Sequence, residues 1–78
     1  MTQHALTSPS TTVVLGIIAE ILDVPKVTAD DNFYDFGGSS LQAMRICARL
    51  RKDWGVHAAP DALFEADTLG DFAAVLAV

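Results

Sequence analysis

Asp31-Asn-Phe-Tyr-Asp-Phe-Gly-Gly-Ser-Ser-Leu41 sets an aromatic cluster, a Gly37-Gly38 turn and a pair of serines directly ahead of an apolar-periodic run. In that run Ala43, Ile46, Cys47 and Leu50 recur at the three-to-four spacing of one buried helix face. The spacing predicts a helix from about Ser40 to Asp53, with Trp54 extending the same face. Ser39 and Gln42 have the spacing of a capping box. Arg49, Arg51 and Lys52 fall in the last turns, where positive charge suits the helix dipole, and Gly55 is a natural stop. Ser40 therefore stands at a helix N-terminus, where backbone N–H groups point outward and the dipole favours anions. A phosphate joined to its hydroxyl would be well placed.

Upstream of this stretch, Val14, Ile17, Ile18, Ile21 and Leu22 share one helical face. Ser8-Pro9 offers a start for that helix, with serine as cap and proline in the first helical position. Pro25 offers the end, because the residue before a proline is pushed away from the α region. Val27 to Asn32 then begins a long connection with Asp30 and Asp31 as acidic caps. Phe33, Tyr34 and Phe36 are too apolar for a freely solvated loop and are expected to anchor it to the core through one short helical turn. Downstream, Pro60 to Glu65 predicts a short helix with Leu63 and Phe64 as its apolar pair. Thr68 caps a last helix, with Asp71 three residues on and Leu69, Phe72, Ala73 and Leu76 as the buried stripe. No segment shows sustained strand alternation, repeats or low complexity. The expectation is an all-α fold, a small four-helix bundle of three main helices and a short one, with residues 1–9 a flexible lead-in and 10–78 a single domain.

A chain of 78 residues holds one small domain. Its net stability should be about 4–12 kcal/mol, from ~0.05–0.15 kcal/mol per residue. A net charge of −5 argues against binding nucleic acid or an anionic membrane. The one cysteine, Cys47, can form neither an internal disulfide nor a paired metal site, and it reads as a buried small hydrophobe. No apolar run reaches transmembrane length, Val13–Leu22 being interrupted by Gly16 and Glu20. The N-terminus lacks the basic-then-apolar layout of a signal peptide. These features predict a cytoplasmic monomer.

Ser40 is the residue whose chemistry needs explaining. A serine at a helix start has an ordinary use as a cap, but Ser39 already fills that role. The nucleophile-elbow pattern fails, because Gln42 stands where the second glycine belongs. A catalytic triad would need a base, and only His4 and His57 exist, both in segments that read as surface. The phosphate-binding loop of nucleotide hydrolases fails too, since no Gly-Lys-Ser/Thr follows the glycines. Asp30, Asp31 and Asp35 lack the spacing and terminal glutamate of a calcium loop, and turn formation explains them better. Gly37 and Gly38 supply a turn needing unusual dihedrals, and their missing Cβ atoms also let an enzyme wall approach Ser40.

The motif resembles the attachment motif of the peptidyl (thiolation) carrier domains of nonribosomal peptide synthetases, Asp-x-Phe-Phe-x-Leu-Gly-Gly-(His or Asp)-Ser-(Leu or Ile). Arg45-Ile-Cys-Ala-Arg-Leu-Arg51 and Ala62-Leu-Phe-Glu-Ala-Asp-Thr-Leu69 are similar to the family's second helix and to the stretch before its last helix. Ser39 stands where the family usually has His or Asp, and Phe36 where leucine is usual. The resemblance implies an acyl carrier protein-like fold and a phosphopantetheine arm on Ser40. It implies a non-catalytic carrier that holds an aminoacyl or acyl group as a thioester. Its partners would be a phosphopantetheinyl transferase, an adenylation (loading) enzyme, and condensation, tailoring or thioesterase enzymes.

Leu41, Met44, Arg45 and Ala48 form a second stripe on the same helix, which in the family is the face that partner enzymes dock on. Two readings of it stand side by side. Leu41 and Met44 pack under the long loop, or they form a small apolar patch beside Ser40, with methionine suited to several partners. Arg45 and Arg49, at (i, i+4), would give this face a positive edge, unlike the acidic second helix of fatty-acid carriers, while Arg51 and Lys52 read as a solvated face. An acyl carrier of a polyketide or fatty-acid system and an unmodified helical interaction module are the alternatives. A chain that starts with methionine and stops after its last helix reads as free-standing, though an excised domain would look similar.

Overall fold

Ser10 opens the first helix, α1 (Thr11–Leu22), its hydroxyl accepting the Val13 N–H at 3.2 Å. In this computed structural model, which describes residues 10–76, the cap is thus two residues later than Ser8-Pro9 predicts. Ser8, Pro9 and the rest of the expected lead-in lie outside the described residues. The end of α1 also differs from expectation. Asp23 takes the left-handed conformation at φ 60, and the N–H groups of Asp23 and Val24 turn back onto the Glu20 and Ala19 carbonyls at 3.2 and 3.0 Å. The helix has stopped before the constraint from Pro25 acts, helped by a short polar side chain that tolerates the left-handed region. Val14, Ile17, Ile18, Ala19 and Leu22 are buried, and Ile21 is only half-buried.

The chain then runs through a long connection to α2 (Ser40–Trp54). This helix buries Ala43, Ile46, Cys47 and Leu50, the face its spacing predicts, and packs on α1 and on α3 (Pro60–Glu65). It ends where Gly55, at φ 69, returns its N–H to the Arg51 carbonyl at 2.9 Å. Trp54 is half-buried against the core. In α3 the proline occupies the first turn and Leu63 is buried.

The connection between α1 and α2 is pinned mainly to the start of α4 (Leu69–Leu76). The first N–H groups of any helix lack intrahelical acceptors. Here the Leu69 N–H donates to the Asp31 carbonyl at 2.7 Å and the Gly70 N–H to the Ala29 carbonyl at 2.9 Å. The Asp71 N–H donates to Thr68 Oγ1 at 3.1 Å. The Asp31 carboxylate accepts the Thr28 N–H at 2.7 Å, and the Asn32 amide donates to the Asp67 carbonyl at 2.8 Å. Val27 and Phe33 are buried under the connection. Among the described residues there are four α-helices, a short 3₁₀ turn and no strand, an all-α architecture with α3 as the short member. No described helix is long and apolar enough to cross a membrane.

Candidate functional site

The approach to α2 is built on the 3₁₀ turn Phe33–Phe36. Asn32 caps it by accepting the Tyr34 N–H at 2.7 Å, and Gly37 closes it at φ 70 with its N–H on the Tyr34 carbonyl at 2.9 Å. Of the three aromatics, only Phe33 is fully buried. Its ring meets Phe64 edge-on at 5.3 Å and 75°. Tyr34 touches Phe64 at 5.4 Å but leaves 58% of its surface exposed, and Phe36 is half-buried. The expected anchoring therefore falls to Phe33, with Phe36 packed partly buried against the core, while Tyr34 faces outward, because successive residues of a tight turn cannot all face inward.

The two glycines are needed for different reasons. Gly37 occupies the left-handed region that favours a residue without Cβ. Gly38 does not have a positive φ; a Cβ built there would overlap the Phe33 ring. The expectation that both supply unusual dihedrals is corrected to one dihedral and one close approach. Phe33 is 1% exposed and held against Phe64, so its ring has little room to yield. Gly38→Ala should therefore lower stability by about 1–3 kcal/mol, the usual cost of overpacking. Urea unfolding measures this, and an unchanged midpoint would show that the ring moves aside freely.

The serines that follow divide their work. Ser39 accepts the Gln42 N–H at 3.3 Å while Gln42 Oε1 accepts the Ser39 N–H at 3.0 Å, completing the capping box. Ser40, the next residue, is exposed, and no hydrogen bond among the described residues engages its hydroxyl. The backbone N–H groups of Ser40 and Leu41 also have no acceptor there. A free hydroxyl thus sits beside open N–H donors at the positive end of a fifteen-residue helix.

Leu41, Met44, Arg45 and Ala48 are all exposed, with Leu41 and Met44 each at 57%. The reading that buries Leu41 and Met44 beneath the long loop is overturned, since that loop packs on α3 and α4 instead. Tyr34 joins them among the large exposed apolar residues, a contributor that the sequence reading assigned to the core. Arg49 is a second correction. Its Nη1 lies 2.6 Å from Glu20 and its Nε 2.7 Å from Asp53, so it clamps α2 to α1. The hydrogen bonds that Arg49 donates to Glu20 and then to Asp53 push the guanidinium pKa further up. The positive edge expected from Arg45 and Arg49 together is left to Arg45.

Cys47 is free and buried, and desolvation pushes its thiol pKa up. Among the described residues no group of three or more His, Cys, Asp or Glu could hold a metal ion.

The profile of the phosphopantetheine attachment site family matches residues 12–76. The chain is 36% identical over 66 residues to a dimodular nonribosomal peptide synthase of Bacillus subtilis, covering 85% of this chain and 3% of that protein. It is 39% identical over 66 residues to phosphinothricin tripeptide synthetase PhsB of Streptomyces viridochromogenes, covering 85% of this chain and 6% of that protein. The chain thus spans only a small fraction of the length of these relatives. A solved nonribosomal PCP domain superposes with a TM-score of 0.73 at 28% identity, covering 96% of this chain and 90% of that one. Sequence and fold agree across nearly the whole chain, and it belongs to the phosphopantetheine attachment family as a carrier domain of the peptidyl type.

Proposed function

We propose that Ser40 takes the phosphopantetheine arm and that the chain is a non-catalytic peptidyl carrier for nonribosomal peptide-type biosynthesis in the cytoplasm. The observation that carries this is the division between the serines. Ser39 spends its hydroxyl on the helix cap, and Ser40 has a hydroxyl with no structural duty. The residues present fit the group. The open N–H groups of Ser40 and Leu41 and the dipole of α2 favour the negative charge of a phosphodiester on Ser40 Oγ, with the dipole worth typically 0.3–1 kcal/mol, roughly. When bound, the group supplies a thiol on a flexible arm, on which an aminoacyl or acyl unit is held as a thioester. Tethering raises the effective concentration of that cargo at each docked enzyme.

The chain's own part is to present Ser40 and to be recognised. The 3₁₀ turn, Gly37 and the Gly38–Phe33 contact fix the serine at the helix start. Leu41, Met44, Arg45 and Ala48 offer a half-apolar surface beside it for a phosphopantetheinyl transferase, an adenylation enzyme and the condensation, tailoring or thioesterase enzymes that follow. Cys47 must not compete for the cargo. Its burial and raised pKa keep it a poorly nucleophilic thiol, since the thiolate is the reactive form. Alkylation of the native apo protein should therefore be much slower than after unfolding in urea, and equal rates would show that Cys47 is open to solvent.

The decisive assay is intact mass after incubation with a broad-specificity transferase and coenzyme A. A gain of one phosphopantetheinyl group, mapped to Ser40 by peptide fragmentation, is the expected result. No gain would overturn the carrier reading. Loading of the holo protein by an adenylation enzyme, and not by an acyl-transferring enzyme of polyketide or fatty-acid synthesis, tests the peptidyl assignment.

A further inference from the structure

Charge is unevenly placed on this acidic chain. Of its five Lys and Arg, four sit on α2, and of its ten Asp and Glu only Asp53 does. Asp53 and Arg49 pair with each other, and Arg49 also with Glu20, at the edge of α2 that meets α1. The rest of the outer surface of α2 carries Arg45, Arg51 and Lys52, all exposed and without an ion pair among the described residues. Where this surface ends, α2 and the segment leading to α3 enclose an open groove of ≈ 530 Å³. Cys47, Val56 and Ala58 are its less exposed, mostly apolar lining, and Arg51, Lys52 and His57 are its exposed rim. Ala48 belongs both to this groove and to the surface beside Ser40.

The helix dipole accounts for cations in the last turn of α2. It does not account for His57 on the same rim, for the apolar lining between them, or for the lack of any carboxylate there. We infer that the groove is a second docking subsite on α2, and that its occupant is an acidic segment of a partner protein, an apolar side chain flanked by Asp or Glu. The apolar lining takes the side chain and the cationic rim takes the carboxylates. A nucleic acid fits less well, because a long polyanion would also meet the rest of a chain whose net charge is −5. A short segment meets only the charges within a Debye length of about 8 Å at physiological salt. Free phosphate would leave the apolar lining uncovered.

Ser40 and Arg51 are separated by about 16 Å along the helix, at 1.5 Å rise per residue. A partner held at both ends of α2 would have its rotation about the carrier fixed, which contact near Ser40 alone does not achieve. That this partner is an enzyme serving the arm rests on the carrier reading; the place of the subsite and the chemistry of its occupant do not.

The test uses the full chain labelled with ¹⁵N and a capped five-residue peptide alternating Glu or Asp with Leu as the probe. Amide shifts should appear at Ala48, Val56, His57 and Ala58, with an apparent Kd that rises about tenfold between low and moderate salt, as screening of charge contacts requires. The Arg51→Glu/Lys52→Glu variant, and separately the milder Lys52→Gln/His57→Gln variant, should weaken or abolish these shifts while keeping the remaining spectrum. The same peptide with Lys for its acidic residues should produce none. Absence of shifts at the groove, or shifts that persist in both variants, would overturn the subsite. Equal or stronger shifts with a single-stranded oligonucleotide would overturn the choice of a protein segment. Mass analysis keeps the two readings apart: both variants should still take the arm at Ser40, and a wild-type chain that takes none would sink the carrier reading without touching the groove.

Discussion

Ser40→Ala will fold as the wild type does and accept no phosphopantetheine, whereas Ser39→Ala will lose some stability and still be modified. The two hydroxyls are adjacent in sequence yet differ in every contact. Removing that of Ser39 breaks the capping box, which should cost about 1 kcal/mol. Against a total of about 4–12 kcal/mol for a chain this size, the domain survives, and the helix start still presents Ser40. Removing the Ser40 hydroxyl takes away no hydrogen bond among the described residues. Its effect on stability should stay within about 0.5 kcal/mol, as at surface positions generally. Modification, by contrast, should go from complete to none, because the neighbouring hydroxyl is held by the helix it caps. Intact mass and thermal melts of the two variants read both effects. A Ser40→Ala protein that gains the full mass would show that the arm is attached elsewhere.

The local physics of this chain is largely written in its spacing. The buried faces of α2 and α4, the capping box, the stop at Gly55 and the bounds of α3 all follow from patterns only a few residues long. What spacing cannot convey is contact between distant segments. Arg49 reads as part of a basic face until Glu20, from another helix, is brought to 2.6 Å from it. Gly38 reads as a turn residue until the Phe33 ring is found where its Cβ would stand. The long connection reads as a loop held by aromatics, whereas its backbone carbonyls serve as acceptors for the first N–H groups of α4. At α1 the difference is local: Ser8-Pro9 and Ser10 are both acceptable starts in the sequence, and Ser10 caps the helix. At the candidate site, the free hydroxyl of Ser40 is legible because Ser39 makes a second capping serine redundant. The groove at the far end of α2 is not, since Val56 and Ala58 give no periodic signal.

Core and docking surface should separate cleanly on α2, and Ile46→Ala beside Met44→Ala is the comparison that shows it. Ile46 is 0% exposed and belongs to the core cluster that includes Ile18, Leu50 and Phe72. Truncation there removes buried methyl groups and leaves a cavity, at a cost of about 2–5 kcal/mol. That is a large share of the about 4–12 kcal/mol available, so the variant should melt far below wild type or fail to fold at 37 °C. Leu50→Ala, also at 0% exposure, should behave alike. Met44, two residues before Ile46 and on the opposite side of the helix, is 57% exposed. Alanine is the better helix former and the side chain lies outside the core cluster, so stability should change by less than about 0.5 kcal/mol. If the exposed face carries recognition, however, Met44→Ala should slow transfer of the arm or its loading, because an adaptable apolar contact beside Ser40 has gone. Melting curves and steady-state kinetics on the same samples separate the two effects. A Met44→Ala protein as unstable as Ile46→Ala would place that side chain in the core, and a stable one with unchanged kinetics toward every partner would remove it from the docking surface.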